Sequence, residues 1–129
     1  MKLQDAVGIA RQYLLALERR SLPEAKACLA PGIVFAYPGD KRPASVEEAM
    51  ASSRARYKGV YKTIQRTDAF LGESGNCIVY IIGLLHGAWL DGSEFKEIRF
   101  IDRFEIGEDG ISLHEVWNDV ANLQLAMKS

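Results

Sequence analysis

The sequence predicts an α+β fold in which a strongly curved antiparallel sheet wraps around a long N-terminal helix, two shorter helices completing a cone-shaped α+β barrel. Three observations carry this. Apolar residues recur at helical spacing in the first part of the chain, and after Gly59 the pattern changes to that of strands. Four strand-like runs then follow one another across hairpin-length joints, which makes neighbours antiparallel. Gly83 and Gly87 lie inside the longest run, where interior glycines mark a bulge or sharp curvature. No repeat, low-complexity segment or linker divides the 129 residues, so one domain is expected over 1–129.

Taken in order, Ala6, Ile9, Ala10, Tyr13, Leu14 and Leu17 form the apolar stripe of a first helix over about residues 3–19. Ser21-Leu22-Pro23-Glu24 reads as a helix start, with Ser21 as cap and Pro23 in the first turn. That helix ends before Pro31-Gly32. Ile33 to Tyr37 is a short apolar strand cut off by Pro38-Gly39, and residues 40–43 make a polar loop. A second capping box, Ser45-Val46-Glu47-Glu48, opens a third helix to about Tyr57, with Arg54, Arg56 and Lys58 as a solvated face or, on the other reading, an anion site. The four strands of the meander are Val60–Leu71, Cys77–Leu90, Phe95–Ile106 and Ile111–Leu123, with Asp91-Gly92 as a hairpin signal.

Composition narrows the function classes. Sixteen basic and seventeen acidic residues, with no basic block, argue against nucleic acid as a partner. No apolar run approaches the roughly eighteen residues of a membrane span, and charges break the N-terminal run too early for a signal peptide. Cys28 and Cys77 lack CxxC spacing and read as buried thiols of a reducing compartment. A cytoplasmic protein is the expectation, and the widely separated histidines give no metal signature.

The chemistry gathers on the run from Ile98 to Asn122. There Ile98, Phe100, Asp102, Phe104 and Ile106 share one parity, so one carboxylate stands in an apolar row. Desolvation between Phe100 and Phe104 would raise its pKa, leaving an acid that donates to an oxyanion or, partly ionised, acts as base. The other reading is a slip of parity that pairs Asp102 with an arginine on the outer face. Tyr13 is either a core aromatic or a pocket hydroxyl. His86 shares a face with Ile82, Leu84 and Ala88, as a core histidine or as a base near the acid. Trp117 is a pocket wall or core residue, and Asp119 is a base at the pocket mouth or half of a salt bridge. His114, near the last hairpin, is expected to be exposed. Arg99, Ile101 and Arg103 fall on the opposite face.

The D-x-F of "FIDRF", the turn "GEDGI", "VWNDVANL", Tyr13 and the segment "LPEAKACLAPGIVFAYPG" together resemble the nuclear-transport-factor-2-like superfamily, and within it the ketosteroid isomerase and SnoaL-like polyketide cyclase branches. The resemblance spans nearly the whole chain. It implies that Asp102 matches the protonated oxyanion-hole aspartate, Tyr13 the oxyanion-hole tyrosine and Trp117 the pocket tryptophan, with Phe100, Phe104, Tyr37, Phe35 and Leu84 as further pocket-lining residues. The isomerases place their general-base aspartate just before the proline that ends the first strand. This chain has Ala36 and Tyr37 there, so the proton-transfer role falls to His86, Asp40 or Asp119.

The expectation is a cofactor-independent enzyme of the isomerase or cyclase kind, acting on a small apolar carbonyl compound by acid–base chemistry. The alternative is a non-catalytic binding protein for an apolar metabolite. Superfamily members commonly pair through the outer sheet face, which implies a homodimer.

Overall fold

The computed structural model describes residues 1–128. Helices α1 (Leu3–Glu18) and α2 (Leu22–Ala27) precede strand β1 (Leu29–Ala36) and helix α3 (Val46–Arg54). Strands β2 (Tyr57–Leu71), β3 (Cys77–Trp89), β4 (Glu94–Gly107) and β5 (Gly110–Asn118) follow, and helix α4 (Val120–Lys128) closes the order. The sheet runs β1-β5-β4-β3-β2, so β1 and β2 are its edges and it does not close into a barrel. β1 lies parallel to β5 while every other pair is antiparallel, so the sheet is mixed and not wholly antiparallel as the meander suggested.

The helical stripe of α1 is the one its periodicity predicts: Ala6, Ala10, Tyr13 and Leu14 are buried against the inner sheet face. Helix α3 starts where its capping box lies, with Ser45 Oγ accepting from the Glu48 amide at 3.1 Å. The Glu48 carboxylate returns to the amide of Ala44, one residue before the cap. Ser21 precedes α2 without a side-chain cap.

Two elements depart from the sequence reading. β1 begins at Leu29, and Pro31-Gly32 forms an irregularity within it between the Leu29↔Ile111 and Val34↔Leu113 pairs. The last strand stops at Asn118, whose side chain accepts from the Val120 amide at 3.1 Å and turns the chain into α4. Val120 then packs into the core, with Leu123 partly buried beside it.

Curvature comes from breaks in strict pairing. Register shifts interrupt β2 twice and each of the β3–β4 and β4–β5 ladders once. Glu97 takes a positive φ of 58° at the β4 bulge, which puts both Phe95 and Ile98 on the inner face. Gly83 and Gly87 are where the strands press closest. A Cβ at Gly83 would collide with the carbonyl oxygen of Thr63, and one at Gly87 with that of Gly59. Among the described residues no helix is long and apolar enough to cross a membrane.

Candidate functional site

On β4, Ile98, Phe100, Asp102, Phe104 and Ile106 are all buried, while Arg99, Ile101, Arg103 and Glu105 occupy the outer face. Asp102 is 0% exposed. A buried carboxylate must be paired to remain charged, and two groups meet it. Lys62 Nζ of β2 donates to Oδ2 at 2.5 Å, and His114 Nε2 of β5 lies 3.1 Å from Oδ1. Lys62 and Asp102 sit on either side of β3, opposite Leu85 and Ile81 respectively. The inward position between those two is Gly83, where a Cβ would meet the Thr63 carbonyl and the Phe100 ring, so the lysine crosses the strand at a residue that carries no side chain. Lys62 Nζ also lies 4.9 Å from the centre of the Phe100 ring.

These contacts reverse the expected ionisation of Asp102. Burial by itself pushes the carboxyl up, but the Lys62 ammonium and the His114 hydrogen bond outweigh it and hold the pKa below the usual carboxylate range. Asp102 is therefore an anion, not a neutral acid. Burial lowers the pKa of His114, opposed by Asp102, so the imidazole is neutral at pH 7. A neutral imidazole beside a carboxylate gives that carboxylate its N–H. Nε2 then carries the proton, and Nδ1 keeps its lone pair; Nδ1 is buried and has no hydrogen-bond partner among the described residues.

His114 stacks on Phe104 with ring centres 4.5 Å apart and planes at 8°. Tyr13 and Tyr37 each meet it edge-on at 5.5 Å, and Phe35 lies 6.5 Å away. This aromatic packing fixes the ring. Burial also pushes the phenols of Tyr13 and Tyr37 above their ordinary pKa, so both stay protonated. The Tyr13 hydroxyl is buried beside that of Tyr37, and its proton is held further by the hydrogen-bonding and electrostatic influence of Tyr37 and by the Asp102 charge.

A cavity of about 630 Å³ opens between the end of α1, the loop after β1, α3, α4 and the inner sheet face. Lys62, His114, Tyr37 and Phe100 line it, with Leu85, Val116 and Met50 among its apolar walls. Asp102, Tyr13, Phe35 and Phe104 do not reach its surface. They form the layer behind His114 and Lys62, and those two side chains carry the charge and lone pair that Asp102 organises.

Several expected positions fall elsewhere. His86 is exposed on the outer face, stacked 5.8 Å from Tyr61. Leu84 is on that face with it. The run Cys77–Trp89 is apolar on both parities, so alternation alone does not reveal which row turns inward; the buried row is Val79, Ile81 and Leu85. Trp117 is 50% exposed and points outward. Asp119 is held by Arg99 Nε at 2.7 Å, a salt bridge away from the cavity. Asp40 is exposed and does not line the cavity.

One extra residue explains both Trp117 and His114. Opposite β4, Glu105 pairs with Leu113 but Ile106 pairs with Ile111, leaving Ser112 as a bulge. Counting by twos from buried Ile111 would bring Leu113, Glu115 and Trp117 inside. The bulge shifts the parity by one and turns His114, Val116 and Asn118 inward instead. Lys62 did leave a signal in the sequence: it stands between Val60 and Ile64 on one parity, as Asp102 stands between phenylalanines. Among the described residues, no cluster of three or more His, Cys, Asp or Glu side chains is placed to hold a metal ion.

No protein-family model matches the sequence, and neither does any curated protein. Solved structures do match in fold. An NTF2-like protein of unknown function from Burkholderia pseudomallei has a TM-score of 0.77 at 16% identity, with 95% of each chain covered. TerC, co-crystallised with polyporic acid, has a TM-score of 0.77 at 11% identity, covering 96% of this chain and 98% of its own. A Shewanella denitrificans protein called a SnoaL-like polyketide cyclase has a TM-score of 0.72 at 13% identity, covering 95% of this chain and 96% of its own.

Proposed function

We propose that this chain, which has the nuclear-transport-factor-2-like fold, is a cofactor-independent enzyme that moves a proton next to the carbonyl of a small, largely apolar compound. The observation that carries the reading is the hydrogen-bonded row Lys62–Asp102–His114, whose two outer members, Lys62 and His114, line the cavity beside the apolar walls of Leu85, Phe100 and Val116. His114 Nδ1 is the base. It removes a proton from the carbon beside the carbonyl, and the electron pair moves to the carbonyl oxygen as an enolate. The Lys62 ammonium and the protonated Tyr37 phenol stabilise that oxygen, and the imidazolium returns the proton to complete an isomerisation or ring closure. Asp102 is a positioning residue: it selects the His114 tautomer and stabilises the imidazolium as it forms. Tyr13 packs the ring from α1. That TerC was crystallised with polyporic acid fits small-molecule binding in this fold.

The test is deuterium exchange. A panel of small apolar ketones is incubated with the protein in D2O, and NMR follows label entering the carbon beside the carbonyl. Exchange above the solvent rate is the expected result. Binding of several ketones with no exchange of any would replace the enzyme by the alternative, a binding protein for an apolar metabolite.

A homodimer through the outer sheet face belongs to the same proposal. Tyr61, Ile101 and Trp117 are 48%, 36% and 50% exposed there, an apolar area that association would cover. Sedimentation at micromolar concentration is expected to give twice the 14.3 kDa chain mass, and Trp117→Glu to shift it to the monomer. A monomeric wild type would exclude this pairing. The free thiols of Cys28 and Cys77 fit a reducing, cytoplasmic location.

A further inference from the structure

We propose that the molecule bound in this cavity carries a carboxylate, held at the mouth by Arg20 and Arg56; the inference rests on the reading of the cavity as a ligand site and adds the class of ligand. Charge around the mouth is uneven. Arg20, Lys41, Arg42 and Arg56 line it beyond the self-neutralised Lys62–Asp102 pair, against only Glu18 and Glu48. Four cations and two carboxylates leave a formal +2 in a chain whose net charge is -1.

The two carboxylates are already engaged. Glu18 accepts from the Lys62 amide at 2.7 Å, which covers an edge-strand donor, and Glu48 accepts from the Ala44 amide at 3.0 Å. Among the described residues neither forms a salt bridge with the mouth cations. Arg42 is structural: its guanidinium donates to the carbonyls of Tyr37, Gly39 and Lys41 and fixes the loop.

Arg20 and Arg56 are different. They converge on Tyr57, at the start of β2. Arg20 donates to the Tyr57 carbonyl oxygen at 2.8 Å, which leaves four of its five N–H donors. The Arg56 guanidinium lies over the Tyr57 ring at 5.1 Å, and its Nε is buried with no hydrogen-bond partner among the described residues. A buried charged donor with no acceptor is expensive unless something supplies one. Arg20 also occupies an unfavourable backbone position. It follows the C-cap of α1 with φ 54°, in a turn closed by the Ser21 amide on the Ala16 carbonyl, where glycine is preferred. Arginine at that site places a planar fork at the cavity instead of relieving the backbone.

Planar forks suit carboxylate oxygens, and a singly charged anion suits a mouth that also holds two glutamates. Tyr57 and Lys62 are five residues apart on one strand, about 17 Å of backbone. A ligand engaging both ends is therefore elongate, with an apolar body between its carboxylate and its carbonyl.

The experiment compares 1-naphthaleneacetate, 1-naphthaleneacetamide and 1-naphthyl phosphate by calorimetric titration in low salt, on the wild type, Arg56→Gln and Arg20→Gly. The expected result is that the acetate binds at least about tenfold more tightly than the amide. Each substitution should reduce that preference to about threefold or less, with thermal unfolding and circular dichroism showing separately that the fold is intact. Equal binding of acetate and amide by the wild type would overturn the carboxylate proposal and leave the cavity reading standing. A preference that survives both substitutions would overturn the assignment to Arg20 and Arg56, and tighter binding of the phosphate would overturn the choice of a singly charged anion. If none of the three binds while the small ketones do, the carboxylate proposal falls and the cavity reading stands; if neither the probes nor the ketones bind, both readings fall.

Discussion

Asp102→Asn should cost about 3 kcal/mol of folding stability at pH 7, because it strands the Lys62 ammonium at a site from which water is largely excluded. Only 17% of the lysine side chain is exposed, and the carboxylate is its sole ion-pair partner among the described residues. The substitution is informative because asparagine resembles a protonated aspartate in shape and in lacking charge. Were Asp102 a neutral acid, as its apolar row suggests, the change would be nearly silent. Urea unfolding of the two proteins separates the cases, and a difference below about 0.5 kcal/mol would contradict an ionised Asp102. Lys62→Met in the Asp102→Asn background should recover much of the loss, since the stranded charge is then gone.

The pH dependence has a definite sign. The folded pKa of Asp102 lies below its ordinary 3.8, so its stabilisation is present above that value and disappears as pH falls through the folded one. The gap between wild type and Asp102→Asn should therefore persist through the neutral range and close only in strong acid. His114 is depressed below its ordinary 6.5, which favours the neutral ring in the folded state. Its contribution is complete above 6.5 and is lost as pH falls through the lower folded value, so wild-type stability declines on that side of neutrality.

His114→Gln is expected to lower ketone deuterium exchange by about 10²- to 10⁴-fold, the range associated with a positioned general base. Glutamine keeps a group that can donate to Asp102 and removes the titrating lone pair. The wild-type rate should rise with pH through the depressed pKa of His114 and level off near neutrality, since only the neutral ring accepts a proton. In His114→Gln that step should vanish. Exchange within threefold of wild type, with the pH step retained, would assign the base to another residue. Stacking on Phe104 is reduced by the same change, so a stability measurement accompanies the rate to separate folding from chemistry.

How much of this was legible in the chain depends on whether a residue's side of the sheet follows from counting. On β4 it does. The alternation of Ile98, Phe100, Asp102, Phe104 and Ile106 against Arg99, Arg103 and Glu105 is clean, and the structure keeps it. The stripe on α1 and the cap at Ser45 were equally plain, because each is a local pattern with a local physical cause. Counting fails on β3, where both rows are apolar and His86 gives no sign of facing outward. It fails on β5 for another reason: a single bulged residue, Ser112, has no signature of its own and reverses Trp117 and His114 together.

The sequence by itself determined that the chain folds as a curved α+β domain with an isolated carboxylate turned into its core, because amphipathic period and turn chemistry are local and strong. Only the tertiary structure decided what that carboxylate is. Its charge depends on groups 40 residues before it and 12 after it, brought together across Gly83 and a bulge. Burial alone predicts a neutral acid, and a lysine and a histidine at hydrogen-bond distance make it an anion. Ionisation is set by what surrounds a group in space, and no periodicity along the chain specifies that.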